Sequence, residues 1–231
     1  NFGKIATRLC EIDENGNSNL VTFGIVNLSQ IRGKNINYKI KANKKYNVNI
    51  KLNHTGYIFK KNNKIRISLS TSYWPMAWPL KEKFTLKIYI KNSVLKLPEK
   101  NNLKNYNSFK KPKNPLPIKN KILIQPKRQR KIIRDLEKND TKYFVEDYFG
   151  KIKLIQANLI TDNYTSQEYY LNEDNPLSAE AKYNFRYNFE RKNWLINIDG
   201  NVKLTCNKKY FFLNKSVCIK HNLKTIYTIN T

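Results

Sequence analysis

Apolar side chains recur at every second position along this chain, and no stretch carries them at helical spacing for more than two turns. Tyr46, Val48, Ile50 and Leu52 alternate with Asn and Lys, and Ile65, Ile67 and Leu69 alternate with Arg66, Ser68 and Ser70. Successive side chains of a strand point to opposite faces, so a period of two describes strands with one face buried. Asn, Ile, Tyr and Thr are abundant and Ala is scarce, which disfavours helix and suits pleated structure. The expected fold class is therefore all-β. With 40% hydrophobic and 13% aromatic residues the chain has the means to build a core. Its 231 residues allow one large or two small domains.

The pattern divides the chain in two. Residues 2–12 and 20–28 flank a turn cluster with Asn15-Gly16 at its centre, the signature of a β-hairpin. Residues 29–45 read as a long polar loop. Further strands are expected at 46–52, 57–59, 65–69, 84–90 and 94–97, completing a first lobe over 1–97. From Pro98 to Asn120, Pro98, Pro112, Pro115 and Pro117 stand among Lys and Asn. Proline removes backbone donors and fixes φ, so 98–120 reads as a linker. Residues 121–231 read as a second antiparallel β lobe. Its strands are expected at 122–124, 128–137, 143–148, 151–161, 165–171, 179–190, 193–206 and 210–219, with a turn over 173–177.

The residues supply little chemistry. No G-x-S-x-G elbow, H-E-x-x-H, Walker loop or G-x-G-x-x-G occurs, so no catalytic residue, cofactor site or metal site is expected. His54 and His221 are the only imidazoles, and a lone His in a turn is ordinarily a polar surface residue. The acidic pairs Glu11/Asp13, Glu146/Asp147 and Glu173/Asp174 read as solvated turn acids rather than a glycosidase couple. Cys10, Cys206 and Cys218 are odd in number and lack C-x-x-C spacing, which fits reduced thiols and a cytoplasmic setting. No apolar run approaches the ~18 residues that span a bilayer. The formal charge is +27, from 44 Lys and Arg against 17 Asp and Glu. A polyanion partner is one explanation. The other is drift in an AT-rich genome, which favours Lys, Asn, Ile and Tyr together. The basic residues read as evenly spread apart from a denser middle, and Lys far outnumbers Arg, so a nucleic-acid partner is not expected.

The most distinctive stretch follows the strand at 65–69. Tyr73, Trp74, Pro75, Trp78 and Pro79 crowd into a few residues. Two readings are open: an aromatic platform for sugars or bases, or a rigid corner whose prolines fix the turn while Trp74 and Trp78 fill a core or a domain interface.

Several motifs, in order, resemble the C-terminal region of the cocaine esterase / X-prolyl dipeptidyl-peptidase (CocE/NonD-type) serine hydrolases. They are Ala6-Thr-Arg-Leu-Cys-Glu-Ile-Asp13 with Asn15-Gly16, Val21-Thr-Phe-Gly-Ile-Val-Asn-Leu28, Leu52-Asn53 with Tyr57-Ile-Phe59, Lys64-Ile-Arg-Ile-Ser-Leu-Ser70, Thr71-Ser-Tyr-Trp-Pro-Met-Ala-Trp-Pro79 and Leu95-Lys-Leu-Pro98. Arg134-Asp-Leu136, Glu146-Asp147, Asp174-Asn-Pro-Leu-Ser-Ala179 and Trp194-Leu-Ile-Asn-Ile198 follow in the order longer members show. The chain departs from the family at Asn62-Asn63, Lys64 and His54. The resemblance implies that 1–97 is a jelly-roll β-sandwich of galactose-binding-like type, lacking its first strands and so open at one edge. It implies that the family's α/β-hydrolase domain, with its triad, precedes residue 1. It implies a non-catalytic accessory module that supports that domain and oligomerisation, with the hydrolase domain and further copies of the chain as expected partners. The rival from another class is an independent carbohydrate- or polyanion-binding module.

Overall fold

The computed structural model describes residues 3–33, 38–99 and 110–231. Its regular structure is antiparallel β throughout, and the helical content of the described residues is two single 3₁₀ turns, Leu28–Gln30 and Ile90–Asn92. The all-β expectation holds because the period-two pattern finds partners in two separate sheets.

The first sheet contains β1 (Lys4–Ile12), β2 (Ser18–Asn27) and β3 (Lys64–Ser70) in the order β2-β1-β3. The β1–β2 hairpin closes at Asp13. Its carboxylate accepts backbone N–H groups from Asn15 (3.0 Å) and Asn17 (2.8 Å), while Gly16 takes φ +82°. This is an Asx turn next to a residue that tolerates positive φ. Ile5, Ala6, Leu9, Cys10 and Ile12 of β1 are all buried, so the central strand supplies most of this small core.

The second sheet holds β4 (Asn120–Ile124), β5 (Lys127–Asp135), β6 (Asp140–Leu154), β7 (Leu159–Asn172), β8 (Asn175–Arg191), β9 (Trp194–Cys206), β10 (Phe211–His221) and β11 (Lys224–Asn230). From β6 to β11 it is an uninterrupted meander. Its hairpin turns take left-handed backbone mainly at asparagine: Asn139, Asn158 and Asn222 have φ of 54°, 44° and 47°. Asn visits that region more cheaply than other side chains, so an Asn-rich chain makes tight turns with few glycines. The outer edge of β6 has two partners, β5 along residues 140–148 and β4 along 151–154. The hand-over falls at Gly150, where the register shifts.

Several expected strands do not form. Residues 46–52, 57–59, 84–90 and 94–97 belong to no ladder, and Ile90 lies in a 3₁₀ turn. The alternation at 46–52 is nonetheless real, since Tyr46, Val48, Ile50 and Leu52 are the less exposed positions. This segment runs beside β2, tied by the Asn53 N–H to the Phe23 carbonyl (2.9 Å) and the Thr22 hydroxyl to the Asn53 carbonyl (2.8 Å). Alternation selects a face, whereas a ladder also needs a neighbouring backbone, which is a non-local condition. In the second sheet, the segments expected at 143–148 and 151–161 regroup. A single β6 continues through Gly150 to Leu154, and a turn at 155–158 starts β7. The turn expected over 173–177 is confined to Glu173-Asp174, and β11 is an additional strand.

The molecule is thinly covered. Its accessible surface is 18,538 Å², against about 11,000 Å² expected for a compact monomer of 27.4 kDa. Among the described residues no large side chain is fully buried. Among the described residues, substantial close backbone contacts between strands are those of ladder neighbours.

Candidate functional site

The Trp/Pro corner lies between the two sheets. At the end of β3 the Ser70 hydroxyl donates to the Ser72 carbonyl (2.6 Å), and a turn closes with the Ala77 N–H on the Tyr73 carbonyl (2.8 Å). Pro75 follows a cis peptide bond from Trp74, and Pro79 ends the turn; both are partly buried. The aromatic residues then diverge. Tyr73 faces the first sheet, edge-on to Phe23 (5.4 Å) and under the Arg8 guanidinium (5.2 Å). Trp74 and Trp78 meet edge to face at 5.1 Å and turn to the second sheet. Trp74 touches Tyr169 of β7 (5.9 Å), Trp78 touches Phe211 of β10 (5.4 Å), and the Trp78 indole N–H donates to Cys206 Sγ of β9 (3.2 Å). Lys4 Nζ of β1 donates to the Trp78 carbonyl (2.8 Å), and burial pulls its pKa down. The Trp74 indole N–H is buried without a hydrogen-bond partner.

The corner sits on one particular face of the second sheet. Register places Tyr169 opposite Ala181, Ala181 opposite Leu204, and Leu204 opposite Leu213. Following alternate residues along β8 from Ala179, which is 1% exposed, the same face carries Tyr183, Phe185, Tyr187 and Phe189. Adjacent rings of the first three lie 5.8 and 5.4 Å apart. Across the ladder they meet Val202, Gly200, Ile198 and Ile196. The opposite face is polar and internally paired. Glu180 takes Lys182 (2.7 Å) and Lys203 (2.6 Å), Lys142 pairs with Glu168 (3.3 Å), and Asn184 and Asn188 accept from Asn201 and Asn197.

The remaining candidates do not converge. His54 is exposed in a loop and His221 ends β10. Among the described residues neither has a carboxylate within 4 Å. Glu146 and Asp147 split because neighbours on a strand face opposite ways, and Glu173 and Asp174, in the turn between β7 and β8, take separate partners. Glu146 accepts from the Tyr164 hydroxyl (3.0 Å), whereas Asp147 holds Arg130 (2.8 Å) and Arg128 (3.6 Å). Glu173 pairs with Arg134 (3.0 Å), and Asp174 pairs with Lys83 (3.2 Å). The three cysteines are free thiols. Cys206 stands opposite Phe211 and Cys218 opposite Asp199, on separate rungs.

The perturbed carboxylates are structural. Glu11, 2% exposed, accepts from the Tyr57 hydroxyl and from the Lys60 backbone N–H (2.7 Å), and these bonds hold its pKa below the ordinary glutamate value. Asp140 is lowered by Asn172 and by the Tyr170 hydroxyl (2.7 Å), and Asp13 by Asn17. Burial pushes Glu180 up, but Lys182 and Lys203 outweigh it and the net shift is down. A carboxylate whose folded pKa lies below its unfolded one contributes stability that is complete above the unfolded value. That stability is lost as pH falls through the folded value. The urea midpoint is therefore expected to hold between pH 7 and 5 and to fall steadily below about 4, the ordinary carboxylate range. A midpoint that stays flat down to pH 3 contradicts this.

The basic residues are segregated, not evenly spread. Residues 31–134 hold 28 Lys and Arg against two acids, Glu82 and Glu99. Residues 1–30 hold two against three, and residues 135–231 hold 14 against 12. Nearly all of the +27 thus lies in the middle of the chain. Codon drift gives no reason for such a boundary. Among the described residues, the cations of this segment that reach a carboxylate are Lys83, Arg128, Arg130 and Arg134. Each does so on a residue beyond 134. Counting charge by segment makes this legible in the sequence, and the alternation of Tyr183, Phe185, Tyr187 and Phe189 was equally open to reading. The partners of the corner, Tyr169, Cys206 and Phe211, carry no local signal.

The family model described as the X-Pro dipeptidyl-peptidase C-terminal non-catalytic domain matches residues 1–132. The match covers the first sheet, the aromatic corner and the basic segment, and it ends within β5. No curated protein and no solved structure matches the chain. The resemblance carried by the motifs of the first lobe is thereby borne out, and the chain belongs to the family of X-Pro dipeptidyl-peptidase C-terminal non-catalytic domains.

Proposed function

We propose that this chain is the accessory C-terminal module of an α/β-hydrolase-type serine hydrolase of the dipeptidyl-peptidase/esterase kind. It supports the catalytic domain and takes part in oligomerisation. The observation that carries the reading is the family match over 1–132, together with the content of that region. It contains the aromatic junction and the excess of basic over acidic residues, and among its described residues few of those cations reach a carboxylate. In this reading Tyr73, Trp74, Pro75, Trp78 and Pro79 are structural and interface residues, and the basic segment meets an acidic face of the hydrolase domain. The test is to express the hydrolase domain of the same gene with and without this chain, and to add the chain in trans. The chain alone is expected to leave an X-Pro anilide uncleaved. The hydrolase domain is expected to bind it with an affinity that falls as salt rises. A hydrolase domain that neither binds the chain nor changes in stability or activity overturns the reading.

One observation favours a second reading. The charge boundary at residues 31–134 also suits an independent polyanion-binding module. Retention on heparin beyond that of a size-matched protein of equal net charge, together with indifference to the hydrolase domain, would select it.

A further inference from the structure

We infer that the outer edge of β5 is a docking strand, which takes up an extended acidic segment of a partner protein by strand addition. This goes beyond the accessory-module reading and does not depend on a hydrolase domain.

The strand is an edge, and the edge is bare. β5 pairs with β6 on one side only, because β4 occupies a different stretch of the same edge of β6. In an antiparallel ladder alternate residues turn their N–H and C=O groups away from the partner, so β5 presents a row of such groups outward. Among the described residues no backbone group outside the ladder bonds to them, and the Gln129 carbonyl takes the Arg130 guanidinium (2.8 Å). Seven of the nine residues are exposed, and Ile132 and Ile133 are 74% and 54% exposed. Open ladder groups beside bare isoleucines suit another polypeptide strand, whose backbone closes the ladder and whose side chains cover the isoleucines.

Charge selects the occupant. Residues 119–134 hold seven Lys and Arg and no acid. On one face of the sheet Arg128 and Arg130 share the Asp147 carboxylate, and Arg134 holds Glu173. Lys127 and Lys131 lie on the other face, opposite Tyr148 and Phe144, and among the described residues neither reaches a carboxylate. An added strand sets its side chains beside those of β5, about 4.5–5.5 Å away on the same face. Acidic residues at every second position, about 6.8 Å apart, therefore fall along Lys127 and Lys131. The apolar residues between them fall beside Ile132 and the arginine stems. The same charge excludes other occupants. Two copies of β5 edge to edge would set five cations against five, and a basic edge is one way that sheets avoid pairing with themselves. The linker before β4, residues 98–119, carries six lysines against the single acid Glu99, so it is repelled as well. A polyanion without a peptide backbone would meet the cations but leave the ladder groups and the isoleucines bare.

The experiment titrates the 231-residue chain, by fluorescence anisotropy, with two labelled decapeptides of equal charge. One alternates valine and glutamate, and the other has proline in place of valine. The alternating peptide is expected to bind at least about 10-fold more tightly, because proline removes half of the donors that a ladder needs. Its binding is expected to weaken as NaCl rises, and to slow hydrogen exchange along β5 but not along β11, the edge at the other end of the sheet. Lys127→Glu with Lys131→Glu is expected to weaken binding at least about 10-fold, and Lys224→Glu on β11 to leave it unchanged. Far-UV circular dichroism checks that each variant folds, and the two peptides decide the question on the wild type even if the double variant does not. A chain that fails to bind the alternating peptide overturns the proposal. Equal affinity for the two peptides marks a polyanion binder that reads charge alone, and overturns it as well. Binding that survives the reversal at Lys127 and Lys131, or protection that appears on β11 instead, puts the site elsewhere and does the same.

Discussion

Replacing Trp74 and Trp78 together with alanine is expected to split unfolding into two transitions and to cost about 4 kcal/mol, a large part of the margin of a domain stable by about 5–15 kcal/mol. Trp→Ala at a fully buried site costs about 3–5 kcal/mol. Each Trp here is partly exposed, which lowers the single-site cost. The two also share an edge-to-face contact at 5.1 Å, so their costs do not simply add. What raises the effect is position. Trp74 to Tyr169, Trp78 to Phe211 and the indole N–H to Cys206 join the three-stranded sheet to the eight-stranded one. Without them the small sheet keeps a core of Ile5, Ala6, Leu9, Cys10 and Ile12, too small to stand alone. Urea melts followed by near-UV circular dichroism and by hydrogen exchange on β1 should show the small sheet opening first. Conservative Trp78→Phe keeps the ring contact and loses the N–H···S bond, so it should cost well under half as much. An unchanged single transition in the double variant sinks the junction. If such a variant also lost affinity for oligosaccharides, the aromatic-platform reading would replace it.

The sequence was legible where information is local. The hairpin over 4–27 follows from Asn15-Gly16 between two alternating runs, and the meander of β6–β11 follows from alternating segments punctuated by Asn turns. The motif at 71–79 singled out the corner, although its residues left a binding platform and a structural turn both open. Non-local pairing was not legible. Residues 46–52 alternate as cleanly as β3, yet β3 finds β1, whereas 46–52 joins no ladder and is tied to the edge of β2 through two hydrogen bonds at the adjoining Asn53. No pattern within seven residues separates those outcomes. The same limit hid the far side of the corner, since Tyr169, Cys206 and Phe211 are brought to it only by the register of β7, β9 and β10. Gly24 shows how such a pairing leaves a trace without announcing it. A Cβ there would lie 2.1 Å from the Lys51 carbonyl oxygen, so the approach of 46–52 to β2 requires glycine at that rung.

Gly150→Val is expected to destabilise the second sheet by about 3 kcal/mol or more, because two independent costs meet at one residue. The backbone at Gly150 has φ +87°, a region that L side chains rarely enter and β-branched ones least of all. A Cβ there would also lie 2.6 Å from the Ile124 carbonyl oxygen and 3.2 Å from the Pro126 nitrogen. Those atoms belong to the corner at which β4 gives way to β5, so the clash is with backbone that is itself held in two ladders. The register of β6 and β7 shifts here, between Tyr148 and Lys151, and the outer edge of β6 changes partner at the same point. The bulge is what lets one long strand serve β5 on one side of Gly150 and β4 on the other. Valine would have to straighten the bulge or expel the Ile124–Pro126 corner. Either response frees β4, which has only β6 to pair with. Gly150→Ala, with the smaller side chain, should fall between the wild type and Val. Gly16→Ala provides the control: φ is +82° there as well, but nothing lies within 4 Å of the added Cβ. It should cost only the backbone part, about 1 kcal/mol. Hydrogen exchange should show protection lost first at residues 120–124 in the Gly150 variants and nowhere in that strand for Gly16→Ala. Equal costs at the two glycines would mean that the β4–β5 corner does not press on Gly150, and that β6 carries its two partners by some other means.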